Sequence, residues 1–145
     1  AESGDVVEPG QVLVAPGGKN LEFILKQGKI VAKVSAPEGH QRYLPSVDKL
    51  FASSAELFGD RVLGVVLTGM GNDGAMGTRE VKSAGGTVFA EAEESCVVFG
   101  MPKEAIATGL VDRIVPLPQV VEQSVSPGQP AGQQPSPLVH AVMTL

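Results

Sequence analysis

Residues 67–74 read Leu67-Thr68-Gly69-Met70-Gly71-Asn72-Asp73-Gly74, directly after the apolar run Val62-Leu63-Gly64-Val65-Val66. Two chemistries fit this string. Gly69, Gly71 and Gly74 have the G-x-G-x-x-G spacing of a loop that cradles a pyrophosphate. The loop follows an expected strand and opens an expected helix. Glu91 lies about 20 positions further on, where a dinucleotide site places its ribose-binding acid. In the second chemistry the glycines allow a tight turn, and the turn presents the carboxylate of Asp73.

Charge placement separates the two. A pyrophosphate sits on the first-turn amides of a helix, at the positive end of its dipole. Asp73 occupies that first turn, so its carboxylate competes for those amides and repels an anion. A plainer reading is that Asn72 and Asp73 only cap the helix, since both residue types tolerate turns and bond nearby amides.

The longer pattern goes beyond these local alternatives. Gly64–Gly77 reads G-V-V-L-T-G-M-G-N-D-G-A-M-G and Ser95–Ile106 reads S-C-V-V-F-G-M-P-K-E-A-I. Pro45-Ser46-Val47-Asp48 and Ala15-Pro16-Gly17 precede them. In this order and spacing the chain resembles the catalytic domain of the bacterial chemotaxis receptor methylesterases, also called protein-glutamate methylesterases, from about Val12 to Val121. The resemblance implies a serine hydrolase on a parallel α/β sheet that demethylates glutamyl methyl esters of chemoreceptors and, in many members, deamidates glutamines. It implies a methyl-accepting chemoreceptor as partner, a response-regulator receiver domain in the parent protein, and a cytoplasmic location. No cofactor or metal is called for.

The family's mechanism uses a Ser nucleophile, a His base and an Asp that orients the His. The Asp of T-G-M-G-N-D-G corresponds to Asp73. Gly69, Met70 and Asn72 then line the cleft, with backbone near Met70 a contributor to an oxyanion site; a gap-filling Met is the plain alternative. Arg42 falls where the family carries a basic residue near the cleft, and a solvated surface Arg is its alternative. Two departures stand out. Tyr43-Leu44 replaces a basic pair, and Asn20 stands in A-P-G-G-K-N where the family often has His.

By the same resemblance the Ser and His lie upstream of the matched region, so the chain is expected to lack the first strands of the domain and to be nearly inactive alone. Its start at Ala1, without Met, fits a cut chain. Its own candidates are poor. His40 lies in a polar loop and His140 in the terminal stretch. Ser46, Ser53, Ser54, Ser83 and Ser95 have helix or cap explanations. Cys96, among apolar neighbours, reads as a buried inert thiol. The remaining rivals are a non-catalytic interaction module of the same fold and a nucleotide-binding α/β domain.

The elements that must position these residues follow from pattern. Val12–Ala15 is expected as a strand. Leu21–Leu25 and Ile30–Val34 flank the turn Lys26-Gln27-Gly28-Lys29 and predict a β-hairpin. Val47, Leu50, Phe51, Ala55 and Phe58 share one helical face, with Ser46 as N-cap and Gly59 as stop. Val62–Leu67 has the continuous apolar character of a strand buried on both faces. A helix over Asp73–Ala84, a strand over Thr87–Ala92, a helix over Pro102–Thr108, a strand at Ile114-Val115 and a helix over Leu117–Gln123 follow. The fold class is α/β: a three-layer, doubly wound, mostly parallel sheet with an added hairpin. Residues 1–122 form the domain. Residues 123–145, rich in Pro, Gln and Ser, are expected as a flexible tail whose last apolar stretch, L-V-H-A-V-M-T-L, either docks or hangs free, and the incomplete sheet edge is expected as a route to self-association.

The 145 residues carry a net charge of −5, which argues against a nucleic-acid face and an anionic membrane surface. No apolar run approaches the roughly 18 residues of a spanning helix. The single cysteine excludes an intramolecular disulfide.

Overall fold

The structure is a computed structural model that describes residues 1–125 and 139–143. β1 (Asn20–Lys26) and β2 (Lys29–Ser35) form the antiparallel hairpin, in register from Asn20 opposite Ser35 to Lys26 opposite Lys29. Gln27 and Gly28 take φ of 51° and 76°, the left-handed pair that a two-residue hairpin turn requires. α1 (Val47–Phe58) starts where Ser46 accepts from the Lys49 amide and stops at Gly59, with φ 57°.

β3 (Val62–Val66), β4 (Thr87–Glu91), β5 (Arg113–Val115) and β6 (Val139–Met143) form one parallel sheet in the order β5-β4-β3-β6. Between them run α2 (Ala75–Ser83), α3 (Met101–Ala107) and α4 (Leu117–Val125).

The alternation along β3 divides the core. Val62 and Val66 face Val47, Leu50 and Phe51 of α1, Val81 of α2 and Met101 and Ala105 of α3. Leu63 and Val65 face the other way, against Phe89, Val115 and Val120 of α4. Helices therefore cover both faces of the sheet, as the all-apolar β3 predicts. Leu21 and Ala32 bring the hairpin onto the first cluster.

Three expectations change. Val12–Ala15 is not a strand: Val12 and Val14 are exposed, and the Val14 carbonyl accepts from the Ala1 amino group. The fourth strand of the sheet is instead β6, pairing Val62 with Val139 through Val66 with Met143. The stretch expected as a tail thus holds the end of α4 and all of β6, while residues 126–138 lie outside the described residues. β3 consequently has a neighbour on each side, and among the described residues the edges of the sheet are β5 and β6.

Asn20, whose departure from the family pattern had no sequence explanation, is fully buried at the start of β1. Its Nδ2 donates to Gln41 Oε1 (2.8 Å), and its Oδ1 accepts from Gln41 Nε2 (2.7 Å) and the Ser46 amide (3.1 Å). It thereby pins the chain just ahead of α1. Asn20→Leu keeps the branched shape but leaves the buried Ser46 amide and Gln41 Oε1 without their partner. We expect a loss of about 1–3 kcal/mol, read as a lower urea midpoint at an unchanged m-value.

Candidate functional site

Because β3 and β4 run parallel, the loops that follow them leave the sheet at the same end. They dock on each other. The Gly69 amide donates to the Val98 carbonyl (3.1 Å), and the Gly100 and Met101 amides donate to the Gly69 carbonyl (3.2 and 2.8 Å). A Cβ on Gly100 would lie 2.6 Å from that carbonyl oxygen, so the approach requires glycine. Below the loops, fully buried Glu91 accepts from the Thr68 amide on Oε2 (2.7 Å) and from Ser95 Oγ on Oε1 (3.0 Å).

Asp73 sits at this end, 1% exposed. Its carboxylate does not cap its own helix, contrary to the sequence expectation. Oδ2 accepts from the Val47 amide (2.7 Å), and Oδ1 from the Asp48 amide (3.0 Å) and Ser46 Oγ (3.4 Å), so Asp73 caps α1. The first turn of α2 is served by Asp48, whose Oδ1 accepts from the amides of Gly74 (2.9 Å) and Gly77 (2.7 Å). The two helices begin side by side and exchange caps.

The exchange disposes of the dinucleotide reading. The Gly74 and Gly77 amides at the start of α2 are taken by Asp48, and both oxygens of Glu91 are engaged within the chain.

Burial raises the Asp73 carboxyl above its ordinary value; the Val47 and Asp48 amides oppose this, and the nearby charge of Asp48 adds to it. The folded state therefore holds the Asp73 proton more tightly than the unfolded chain does. Stability from this group is present below the ordinary value of 3.8 and is lost as pH rises through the raised folded midpoint. Asp48→Asn removes the charge, and the Asp73 midpoint should fall, measured by carboxyl 13C NMR titration.

The remaining candidates lie on the loop that carries Asp73 and on the segment ahead of α1. The Tyr43 hydroxyl donates to Asn72 Oδ1 (3.0 Å) and accepts from the Asn72 amide (3.2 Å). Exposed Arg42 lies with its guanidinium 5.3 Å from the Tyr43 ring centroid, so Arg42, Tyr43 and the 69–73 loop share one surface. Met70 is 76% exposed. Among the described residues the amides of Gly69 and Asn72 are engaged within the chain, whereas that of Met70 has no hydrogen-bond partner. His40 is exposed in its loop and makes no hydrogen bond to Asp73.

Cys96 is half-buried rather than buried. Its thiol is pushed up to about 11 by burial first and then by the charges of Glu91, Glu93 and Glu94. Alkylation by iodoacetamide at pH 8 should therefore run at least tenfold slower than that of a free cysteine.

Asp48 was not identified from the sequence as part of this site, and Asn20 and Tyr43 were marked there only as departures from the family pattern. Asp48 had one local signal, an acid two residues after a Ser N-cap, but nothing local says that it serves another helix.

A family model described as CheB methylesterase matches residues 1–123. The chain belongs to the CheB methylesterase family. It is 53% identical over 125 residues to a protein-glutamate methylesterase/protein-glutamine glutaminase of Geobacter sulfurreducens, covering 86% of this chain and 34% of that protein. It is 50% identical over 117 residues to a counterpart in Myxococcus xanthus, covering 81% of this chain and 34% of the relative. Among solved structures, the Thermotoga maritima CheB methylesterase catalytic domain superposes with a TM-score of 0.80 at 40% identity, covering 85% of this chain and 65% of that domain chain.

The chain thus spans about a third of the length of these curated CheB-family relatives and about two thirds of the solved catalytic domain. Among the described residues no helix is long and apolar enough to cross a membrane.

Proposed function

We propose that this chain is the part of a chemoreceptor-modifying serine hydrolase that carries the aspartate of its catalytic triad. The protein containing it would hydrolyse glutamyl methyl esters on a methyl-accepting chemoreceptor and deamidate glutamines there, the activities for which its relatives are named. The observation that carries the reading is Asp73: a buried carboxylate in T-G-M-G-N-D-G, at the carboxyl end of a central parallel strand, gripped by two backbone amides.

In this mechanism a serine attacks the ester carbonyl while a histidine takes its proton. The proton passes to the departing methanol, and water then releases the glutamate. Asp73 holds the imidazole in the productive tautomer and stabilises its cation. Oδ2 accepts a single hydrogen bond among the described residues, so a lone pair remains for an imidazole N–H. The Met70 amide suits a developing oxyanion, and Arg42 a carboxylate of the receptor surface. The serine and histidine come from protein outside these residues, alongside a receiver domain that regulates the whole.

The test is methanol release from a methylated receptor by the whole protein and by this chain alone. The expected result is turnover by the whole protein and none above background by the chain. Receptor binding without methanol release by the whole protein would instead favour an interaction module.

A further inference from the structure

Asp48 is an acid in the first turn of α1, and its position is tightly determined. Its carboxylate reaches from the first turn of α1 to the first turn of α2 and accepts two amide hydrogens there, both on Oδ1. Its own amide meanwhile donates to Asp73 Oδ1. One residue therefore holds Asp73 from two directions: the carboxylate directly, and the main chain through the amide of the adjoining Gly74.

The local sequence makes this grip necessary. Gly74, the N-cap of α2, has no side chain to offer its own helix. The helices are also close enough that a Cβ on Gly77 would lie 2.7 Å from Phe51 Cβ and 3.2 Å from Asp48 Cα. At that separation a short aspartate reaches across.

We infer that Asp48 is the positioning residue of the site: by exchanging helix caps with Asp73 it fixes where the Asp73 carboxylate points, and so where a histidine ring bound to it must lie. The inference rests on the orienting role proposed for Asp73. Asp48 touches no reacting group. It acts through geometry, and displacement of a catalytic group by about 1 Å lowers turnover on the order of a hundredfold.

The acceptor pattern supplies the discriminating variants. Asp48→Asn retains an Oδ1 that can accept both amides, while Asp48→Ala leaves both without a partner. They are compared in the whole protein, well below melting, with turnover normalised to folded protein from circular dichroism. Asp48→Ala should lower kcat about 10- to 100-fold with KM within twofold of wild type. Asp48→Asn should restore kcat to within about threefold of wild type. Should Asp48→Ala not fold, Asp48→Ser, whose hydroxyl stops one bond short of the Oδ1 position, takes its place in the comparison.

A lower melting temperature with unchanged kcat would make Asp48 a structural cap only and overturn the inference. So would an Asp48→Asn protein as impaired as Asp48→Ala. Asp73→Asn measured in parallel separates the two ideas. If Asp73→Asn is fully active, the orienting role itself fails. If Asp73→Asn is nearly inactive while Asp48→Ala turns over normally, the positioning role alone fails.

Discussion

Replacing Asp73 by Asn in the whole protein should lower turnover on a methylated receptor by roughly 10⁴-fold, with receptor affinity unchanged. The size comes from what the carboxylate does for an imidazole. An amide of the same shape offers one acceptor and one donor, so it can hold the ring in the wrong tautomer and cannot offset the charge that forms on it. The same substitution is expected to act on stability. Asp73 Oδ2 and Oδ1 face the amides of Val47 and Asp48. In Asn one of those amides would meet an NH2 group, donor against donor, weakening the cap of α1 by about 1–2 kcal/mol. Single-turnover kinetics on folded protein separates the two effects. Only the catalytic loss persists at low temperature, where both proteins are fully folded. A tenfold loss or less would mean that the carboxylate is a helix cap and nothing more.

What could be read from the sequence follows the range of the interactions. Ser46 and Gly59 mark the ends of α1 because capping is decided within four residues, and Gln27-Gly28 marks the hairpin for the same reason. β3 was legible from five apolar residues in a row. Val12–Ala15 shows the limit of that rule: an apolar run becomes a strand only where a partner edge exists, and here Leu13 and Ala15 rest against the core while Val12 and Val14 stay exposed. β6 was illegible because its pairing joins Val139 to Val62, and nothing near His140 encodes that choice. The candidate site divides in the same way. Asp73 was found by its string, whereas its partners could not be. Its amide donors come from α1, its counterpart Asp48 caps the opposite helix, and Asn20 steadies the approach to both from the hairpin. Each of these contacts spans more than 20 residues of chain, and a helix N-terminus accepts any suitably placed carboxylate. The prior expectation that Asp73 caps its own helix failed for that reason.

The largest expected effect on stability lies at Phe51. This fully buried side chain fills the space between α1, β3 and α2. Two glycines make room for it: a Cβ on Gly64 would lie 2.9 Å from the ring, and one on Gly77 2.7 Å from Phe51 Cβ. Phe51→Ala should therefore cost about 3–5 kcal/mol, lowering the melting temperature by roughly 10–20 °C. The fit is mutual, which gives a sharper test than truncation. Gly64→Ala alone should overpack the site and cost about 1–3 kcal/mol. Combined with Phe51→Leu, which vacates the ring edge, the two losses should fall short of their sum by at least about 0.5 kcal/mol. Strict additivity would mean that the ring does not set the spacing between helix and strand. Phe51 lies one turn beyond Asp48 on α1, so this packing also holds the exchanged carboxylates in register. Phe51→Ala should lose turnover at temperatures where circular dichroism still reports it folded, because the gap that the ring maintains is the one across which Asp48 and Asp73 reach each other's helices.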